Sequence, residues 1–281
     1  MLYNLEQILA LAEKDGYAIP AFNVYNMETV MGVLQAAEEA RSPVIMQLYS
    51  RLATNGNSDF LCPIVLEAAK RATVPVALHL DHGSGFEAVT TALRNGCTGI
   101  MIDYSTLDLE ENISGTKKIV DMCNIVGVQV EGELGHIGKT SDGPNNQFTE
   151  VKDAVRFVKE TGVKALAVQV GTAHGRYKQA PVLAIDRIKE IKEATGIALV
   201  LHGGSGVPDD QIKMAVKAGI RKMNFSTDLC YTFIESVQKQ DKDKIAIDII
   251  MKEPIEEVKK FALSKIEVLG SKNRVWKKLS V

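Results

Sequence analysis

The sequence has no long hydrophobic run, and none of its apolar stretches approaches the ~20 residues that a membrane-spanning helix needs. Residues 1–16 are acidic and amphipathic, and they lack the basic start and the cleavage site of a secretory signal. An excess of either charge is also missing, since 33 Lys and Arg are interspersed with 35 Asp and Glu. This balance argues against nucleic acid or a membrane surface as a partner. We therefore expect a cytoplasmic protein.

Cysteine is scarce too, and the four cysteines form no C-x-x-C pair. In a reducing compartment, scattered cysteines behave as small buried hydrophobes. We therefore expect neither a disulfide framework nor a cysteine-ligated metal. The four residues are Cys62, Cys97, Cys123 and Cys230.

What the sequence does contain is an alternation of apolar runs and amphipathic helical segments, with a run about every 25 to 30 residues. This alternation predicts a parallel sheet covered by helices. Eight units predict a TIM (β/α)8 barrel, with an open doubly wound sheet as the alternative. The region after Asp241 predicts extra C-terminal helices, and without a linker the chain reads as one domain over 1–281. The predicted strands are 17–24, 42–49, 74–80, 98–104, 127–134, 164–170, 197–203 and 220–226.

Polar side chains stand at the ends of six consecutive predicted strands. Chemistry in a barrel gathers at the carboxyl ends of the strands, so we expect these side chains to converge on one rim. They are Asp81 and His82, Asp103, Glu133, His174, His202 and Asn224.

Three of the five histidines, His82, His174 and His202, follow an apolar run and directly precede a glycine. A lone histidine in such a place is usually a core residue, but three in one context favour a metal site. Neutral imidazoles are common zinc ligands, and three with an open position make a catalytic site. Glu133 is either a further ligand, a partner of a ligand, or part of a rim salt bridge.

Asp81 adjoins one of these histidines, so its carboxylate is held close to whatever a metal there polarises. It is the best candidate for general acid–base work, the alternative being that it only orients a histidine.

Turns stand at the ends of the last three predicted strands, at 175–178, 203–206 and 224–228, and the first two of them contain glycine. Barrels often bind phosphate with the loops after strands seven and eight. Glycines allow close approach of the backbone, and Lys178, Ser205 and Thr227 add donors. A metal and a phosphate site together predict a phosphorylated carbonyl substrate.

Seven strings of the sequence resemble the class II, zinc-dependent ketose-phosphate aldolases, which include the fructose- and tagatose-bisphosphate aldolases. The resemblance runs from FNVYN (22–26) to VLGSK (268–272), with the motifs in the family's order. The strings are HLDHG (79–83), MIDYS (101–105), LEENI (109–113), VEGELG (130–135), GTAHGRYK (171–178), VLHGGSG (200–206) and NFSTD (224–228).

The resemblance implies a TIM barrel that reversibly cleaves a ketose 1-phosphate into dihydroxyacetone phosphate and an aldehyde. His82, His174 and His202 then hold Zn²⁺, with Glu133 and Asp103 as alternative or auxiliary ligands, and Asp81 moves the proton of the C4 oxygen. A monovalent cation, Na⁺ or K⁺, and a homodimer or homotetramer are also implied. The implied substrate-binding residues are Asn23, Gly175, Lys178, Gly203, Gly204, Ser205, Asn224, Phe225, Ser226 and Thr227.

The chain departs from the family pattern in the loop that follows ELG (133–135). Bisphosphate aldolases carry an acidic pair there, whose glutamate moves the C3 proton, but this chain has Thr140 and Ser141. Asp142 is the nearest carboxylate and our predicted catalytic base. The alternative is that it is only a turn residue before Gly143. His136 is a further candidate.

A second departure lies after strand two, where Ser50 and Arg51 replace the usual Ser-x-Gly turn. We expect these two residues to contact the aldehyde half of the substrate. Arg51 either binds a distal phosphate, carboxylate or sulfonate bidentately or is a solvated rim charge.

Three other functions remain open at this point. A metal-dependent sugar-phosphate epimerase needs two opposed proton carriers, for which the sequence shows no clear pair. A Schiff-base aldolase needs a lysine, and Lys178 is the only one close behind a motif. A non-catalytic helper subunit of an aldolase is expected to have lost ligands, which this chain has not.

Overall fold

Eight short strands, all parallel, form a closed barrel in a computed structural model of the chain. The structure describes residues 1–142 and 147–275. The strands are β1 (Ile19–Asn23), β2 (Val44–Tyr49), β3 (Val76–Gly83), β4 (Gly99–Ile102), β5 (Gln129–Leu134), β6 (Ala165–Val168), β7 (Ala198–Leu201) and β8 (Ile220–Phe225). They pair in chain order, and β8 closes the circle against β1. The predicted barrel is confirmed, and the open sheet is wrong.

Helices cover the outside of the barrel between the strands. They are α1 (Leu5–Asp15), α2 (Met27–Ala40), α3 (Ser50–Thr54), α4 (Ser58–Arg71), α5 (Phe86–Arg94), α6 (Leu109–Ile125), α7 (Val151–Thr161), α8 (Ile185–Thr195), α9 (Asp209–Ala218), α10 (Thr227–Gln238), α11 (Ile247–Ile250) and α12 (Lys252–Val268). A 3₁₀ turn spans Thr140–Asp142. Within the described ranges, no helix is both long and apolar enough to span a membrane.

The predicted C-terminal helices are confirmed as α11 and α12. Helix α12 lies directly against α2, where Gly32 allows the close approach: a Cβ at Gly32 would stand 2.7 Å from Cγ1 of Val258. Two capping boxes begin the first helices, with Asn4 and Gln7 at α1 and Asn26 and Thr29 at α2.

The alternation of side chains along each strand divides the buried residues into two layers. Outward-facing aliphatic and aromatic side chains pack under the helices in one large cluster. Inward-facing ones at the amino end of the barrel form a second cluster, in which alanines stand beside Ile19, Ile45 and Val200, and α1 closes this end of the barrel with Leu5 and Ile8. The small inward residues are Ala21, Ala77, Ala165, Ala167 and Ala198.

Toward the carboxyl end, the inward positions change from apolar to polar. Aliphatic side chains usually fill this part of a TIM barrel, so a buried polar interior indicates that the rim does chemistry. The inward polar residues, all buried, are Asn23, Gln47, His79, Asp81, Glu131, Glu133, His202, Lys222 and Asn224.

Candidate active site

A cavity of about 620 Å³ opens at the carboxyl ends of the strands. All eight strands or the loops that follow them contribute to its wall, as predicted for a barrel active site. The predicted site residues that line it are Asn23, Arg51, Asp81, His82, Asp103, His174, Gly175, Gly203, Gly204, Ser205, Asn224, Ser226 and Thr227.

A bulge at the end of β3 brings two consecutive side chains into this cavity. The register between β3 and β4 shifts between Leu80 and Gly83, and His82 adopts a left-handed backbone conformation with φ of 51°. In a regular strand, neighbouring side chains point to opposite faces. The bulge re-aims the chain, so Asp81 and His82 both line the cavity.

The three predicted metal ligands stand together in this cavity. Their rings are T-shaped neighbours, with centroids 4.8 Å apart for His82 and His174 and 4.9 Å apart for His82 and His202. One nitrogen from each of the three lies within 4.8 Å of the others. The Nε2 atom of His174 and the Nδ1 atom of His202 are buried and have no hydrogen-bond partner in the part of the chain that the structure describes. Such orphaned nitrogens fit a metal, which would take up their lone pairs.

The protonation of these histidines also fits metal binding. Burial lowers the pKa of His174 to about 4 and that of His202 well below its usual value, so both imidazoles are neutral at pH 7. Burial lowers the pKa of His82 as well, but Asp81, Asp103 and Glu133 outweigh it and raise this pKa to about 10. A divalent cation would replace the proton of His82 as the charge that these carboxylates face.

Carboxylates hold the rings in place. Asp103 Oδ2 lies 2.8 Å from Nδ1 of His82, and Glu131 Oε1 lies 2.9 Å from Nε2 of His202. Each bond fixes which ring nitrogen remains for a metal, namely Nε2 of His82 and Nδ1 of His202. Carboxylate partners of this kind orient imidazole ligands in metalloenzymes.

Glu133 lies beneath the histidines and outside the cavity wall. Its Oε1 atom accepts hydrogen bonds from the Ser105 hydroxyl and the Ile137 N–H, while Oε2 is 3.4 Å from Nδ1 of His202. Burial, with Asp103 nearby, raises the pKa of Glu133 to about 8. With His82 and Asp103 it forms a second group able to hold a metal. Two overlapping groups of side chains could thus hold a metal.

Asp81 is held on both of its oxygens. Asn23 donates to Oδ2 at 2.8 Å, and Asn224 donates to Oδ1 at 3.1 Å. Burial opposes ionisation, but the charges of His82 and nearby groups and the bond from Asn23 outweigh it and lower the pKa of Asp81. An ionised, oriented carboxylate beside the histidines can accept a proton from a substrate hydroxyl.

The turns after β6, β7 and β8 are tied to one another. Gly206 donates its N–H to Asp228 Oδ2, and the N–H of Asp228 is bonded to the Ser205 hydroxyl. Gly203 has a φ of +65°, and a Cβ there would lie 2.4 Å from the Ala173 carbonyl oxygen. Helix α10 begins at Thr227, so its amino terminus lies at the cavity wall. Backbone donors and a helix amino terminus fit an anion.

Three predicted contact residues do not line the cavity. Phe225 faces outward and stacks on Phe22 with ring centroids 5.6 Å apart, because the alternation that turns Asn224 inward turns its neighbour to the helices. Lys178 is exposed, which removes the lysine of the Schiff-base alternative. Ser50 is buried behind the wall, with its hydroxyl 3.3 Å from that of Ser84. The side chain of the predicted base Asp142 lies outside the part of the chain that the structure describes.

Several other residues reach the site without having been predicted as contacts. Tyr25, Tyr49, Ser84 and Lys139 line the cavity. His136, the further candidate for the base, lines it as well, with Nδ1 3.2 Å from the Ser105 hydroxyl. Below the cavity, His79, Glu131 and Lys222 are fully buried. The sequence does carry a signal for these three, since each stands two positions before a predicted site residue on the same strand.

The fold and the site together define a (β/α)8-barrel protein with a cluster of three histidines, able to hold a metal, at the carboxyl ends of its strands. The sequence profile of the class II fructose-bisphosphate aldolases matches residues 3–274. The chain therefore belongs to the class II fructose-bisphosphate aldolase family. It is an aldolase, an enzyme of the lyase class.

Known proteins similar to this chain agree with that assignment. YdjI of Escherichia coli K12 is 39% identical over 260 residues, which are 91% of this chain and 92% of YdjI. The crystal structure of the YdjI aldolase has a TM-score of 0.90 at 37% identity and covers 98% of this chain and all of that one (100%). A sulfofructosephosphate aldolase of Alkalicoccus urumqiensis is 39% identical over 237 residues, 83% of each chain. The fructose-bisphosphate aldolase of Campylobacter jejuni has a TM-score of 0.82 at 25% identity, covering 97% of this chain and 96% of that one.

Proposed function

We propose that this enzyme is a zinc-dependent aldolase that reversibly cleaves a ketose 1-phosphate into dihydroxyacetone phosphate and an aldehyde. One observation carries the proposal: three imidazole nitrogens within 4.8 Å of one another share a cavity with an ionised, doubly held carboxylate. Cleavage next to a ketone needs a cation to stabilise negative charge and a base to take a hydroxyl proton. This site offers both.

His82, His174 and His202 are the residues that would hold the zinc. Three neutral imidazoles and one open position are a common donor set of catalytic zinc. Zinc bound there supplies Lewis acidity, which lowers the energy of the charge that develops on the ketose as its C3–C4 bond breaks. Asp103 and Glu131 keep His82 and His202 aimed at this position.

Asp81 carries the proton of the C4 oxygen. In cleavage it takes the proton from the C4 hydroxyl as the C3–C4 bond breaks and the aldehyde forms, and in condensation it returns that proton. The two donated hydrogen bonds from Asn23 and Asn224 leave each carboxylate oxygen a lone pair for this work. Two residues in the loop after β5 are candidates for moving the proton at C3. They are His136, which lines the cavity, and Asp142.

The phosphate at C1 binds between the turn at Gly203–Ser205 and the start of α10. This placement is supported by backbone donors of two adjacent turns, by the hydroxyls of Ser205 and Thr227, and by the helix amino terminus. The position suits a dianion better than a neutral group, because a helix amino terminus stabilises negative charge.

The proposal is tested by measuring dihydroxyacetone phosphate release from a panel of ketose 1-phosphates. We expect release from at least one panel member, a fall of about 10³-fold or more after EDTA treatment, and recovery with zinc, since a Lewis acid supplies several kcal/mol. Turnover that survives EDTA and is trapped by borohydride contradicts it and indicates a Schiff base. One bound metal per chain with no turnover of any ketose phosphate indicates a helper subunit.

Arg51 selects the group at the far end of the substrate, which we propose is anionic. Its guanidinium lies 5.4 Å from the Tyr49 ring centroid and lines the cavity, and it forms no ion pair within the described ranges. A guanidinium without an acidic partner can bind a phosphate, carboxylate or sulfonate through two hydrogen bonds. The similar sulfofructosephosphate aldolase is named for a substrate with a sulfo group, which supports an anionic end.

Replacing Arg51 with leucine tests this assignment. We expect KM to rise about 10- to 100-fold for ketose 1-phosphates with an anionic distal group, the range of a lost charged hydrogen bond. KM for analogues ending in a hydroxyl is expected to stay within a factor of about 2. Arg71→Leu is the matched control, since Arg71 is exposed on α4 and paired with Glu67. Equal losses on charged and neutral substrates contradict the assignment.

A further inference from the structure

Beneath the cavity lies a buried layer of charged and polar side chains that the proposed chemistry has not used. Lys222, Glu131 and His79 have no exposed surface and do not line the cavity. Burying charges is unfavourable unless they are paired, and aliphatic residues usually fill this position in a barrel. The layer therefore needs a reason in the working of the site above it.

Lys222 stands where two chains of hydrogen bonds meet. Its ammonium is 2.9 Å from Oε2 and 3.3 Å from Oε1 of Glu131, and it donates to Oδ1 of Asn224 at 2.8 Å. Glu131 leads on to His202, and Asn224 leads on to Asp81. One buried cation thus connects a proposed zinc ligand with the proposed acid–base residue.

The first chain determines the tautomer of His202. Because Lys222 keeps Glu131 paired, Glu131 is an acceptor for Nε2–H of His202 at 2.9 Å. With the proton on Nε2, Nδ1 is left unprotonated, and it is the nitrogen without a hydrogen-bond partner that would bind a metal.

The second chain determines which way the amide of Asn224 points. An ammonium can only donate, so the atom of Asn224 that faces Lys222 must be the carbonyl oxygen. The amide nitrogen then faces Asp81 and donates to Oδ1 at 3.1 Å. A flipped amide would face the ammonium with its NH₂ group and the carboxylate with its oxygen, so Lys222 opposes that flip.

No other cation in the described part of the chain can take over this task. Besides His202, the basic group beside Glu131 is His79, with Nε2 3.6 Å from Oε2, but burial, with the charge of Lys222, lowers its pKa to about 3. His79 is therefore neutral. Lys222 does not reach the cavity, and its ammonium is engaged by Glu131 and Asn224, so it is not a nucleophile.

We propose that Lys222 is a positioning residue that orients His202 through Glu131 and Asp81 through Asn224. This inference rests on the proposed function, since it assigns roles to the zinc ligand and the acid–base residue. Lys222 touches no reacting atom. It affects metal affinity through His202 and proton transfer at the C4 oxygen through Asp81.

The variant that tests the proposal is the double substitution Lys222→Met with Glu131→Gln. Lys222→Met alone leaves Glu131 buried without its partner and is expected to destabilise the fold. The double variant replaces both charges with neutral side chains of similar size. Lys192→Met is the control, since Lys192 forms a lysine–glutamate pair with Glu13 next to the start of β7, at the opposite end of the barrel.

Two measurements separate positioning from a merely structural role. Zinc affinity, from chelator competition, is expected to fall about 10- to 100-fold in the double variant, as for other partners of metal ligands. At saturating zinc, we compare ketose cleavage with exchange of the dihydroxyacetone phosphate proton for solvent deuterium, a reaction that does not involve the C4 oxygen. Cleavage is expected to fall about 10-fold more than exchange, a part of the usual contribution of an acid–base group.

The control variant is expected to keep wild-type zinc affinity and the wild-type ratio of cleavage to exchange. A folded double variant with unchanged zinc affinity and an unchanged ratio overturns the proposal and leaves Lys222 a structural residue. Failure of the proposed function is distinguishable, because it shows as absent cleavage and exchange in the wild-type enzyme. In that case the comparison of zinc affinity between wild type and the double variant still tests the positioning role of Lys222.

Discussion

Asp81→Asn is expected to lower kcat for ketose cleavage by about 10²- to 10⁴-fold, the usual contribution of a positioned acid–base group. KM is expected to change little, since Asp81 acts on the proton of the C4 oxygen as the bond breaks. The remaining activity reflects metal and phosphate binding, which the substitution leaves in place.

The geometry around Asp81 calls for a second variant. Asn23 and Asn224 both donate to the carboxylate, so the amide that Asp81→Asn introduces would face one of these donors with its own NH₂ group. Asp81→Ala avoids this conflict, although it leaves two buried amides without an acceptor. Agreement of the two variants assigns the loss to the missing carboxylate.

Proton exchange into dihydroxyacetone phosphate is the internal control for both Asp81 variants. Exchange needs the metal site and the C3 base but no group at the C4 oxygen, so we expect it to stay within about 10-fold of wild type while cleavage falls further. If exchange and cleavage fall by the same factor, the assigned role is contradicted, and Asp81 only orients His82. The measurement is NMR detection of deuterium incorporation.

The strand ends were the part of this molecule that the sequence predicted best. Apolar runs that stop at polar residues locate both the strands and the rim, because a parallel barrel puts every carboxyl end on one side. His82, His174 and His202 come together for this reason, as predicted. The adjacent pair Asp81 and His82 shares the cavity only because of the β3 bulge, which no pattern in the sequence predicted.

Alternation along the strands explains both an error and an omission. The family resemblance places Phe225 in the substrate site with the rest of its motif, yet a strand residue beside an inward Asn224 must face outward. By the same alternation, the residues two positions before Asp81, Glu133 and Asn224 also face the inside of the barrel. These residues are His79, Glu131 and Lys222. The polar side chains at the strand ends do not include these buried residues, which lie two positions deeper in the barrel.

Loop residues were the least predictable part of the site. Lys178 follows a motif histidine closely in sequence but is exposed, while Lys139, four residues beyond the end of a different motif, lines the cavity. Their positions depend on how the loops after β5 and β6 pair: Thr140 donates its N–H to the His174 carbonyl, and His174 donates to Gly138. Such long-range backbone pairing has no local signature.

His174→Ala is expected to abolish tight zinc binding and, with it, more than about 10³-fold of the cleavage activity, since catalytic zinc requires all three protein ligands. His174 is the most informative ligand to remove. It is only partly buried, and its Nε2 has no hydrogen-bond partner among the described residues, so the metal-free variant is expected to fold like wild type. Removing His202 instead disturbs its bond to Glu131.

Zinc binding is measured by thermal unfolding with and without the metal. A ligand at about 1,000 times its Kd stabilises the native state by about 4 kcal/mol, so wild-type Tm is expected to rise with zinc. We expect most of that rise to be absent in His174→Ala, while the Tm of the metal-free proteins agrees within a few degrees. Glu133→Gln is the matched variant, because it removes a member of the second metal group and leaves the three histidines intact. If Glu133→Gln loses the zinc-induced rise and His174→Ala keeps it, the metal binds His82, Asp103 and Glu133, and the three-histidine assignment is wrong.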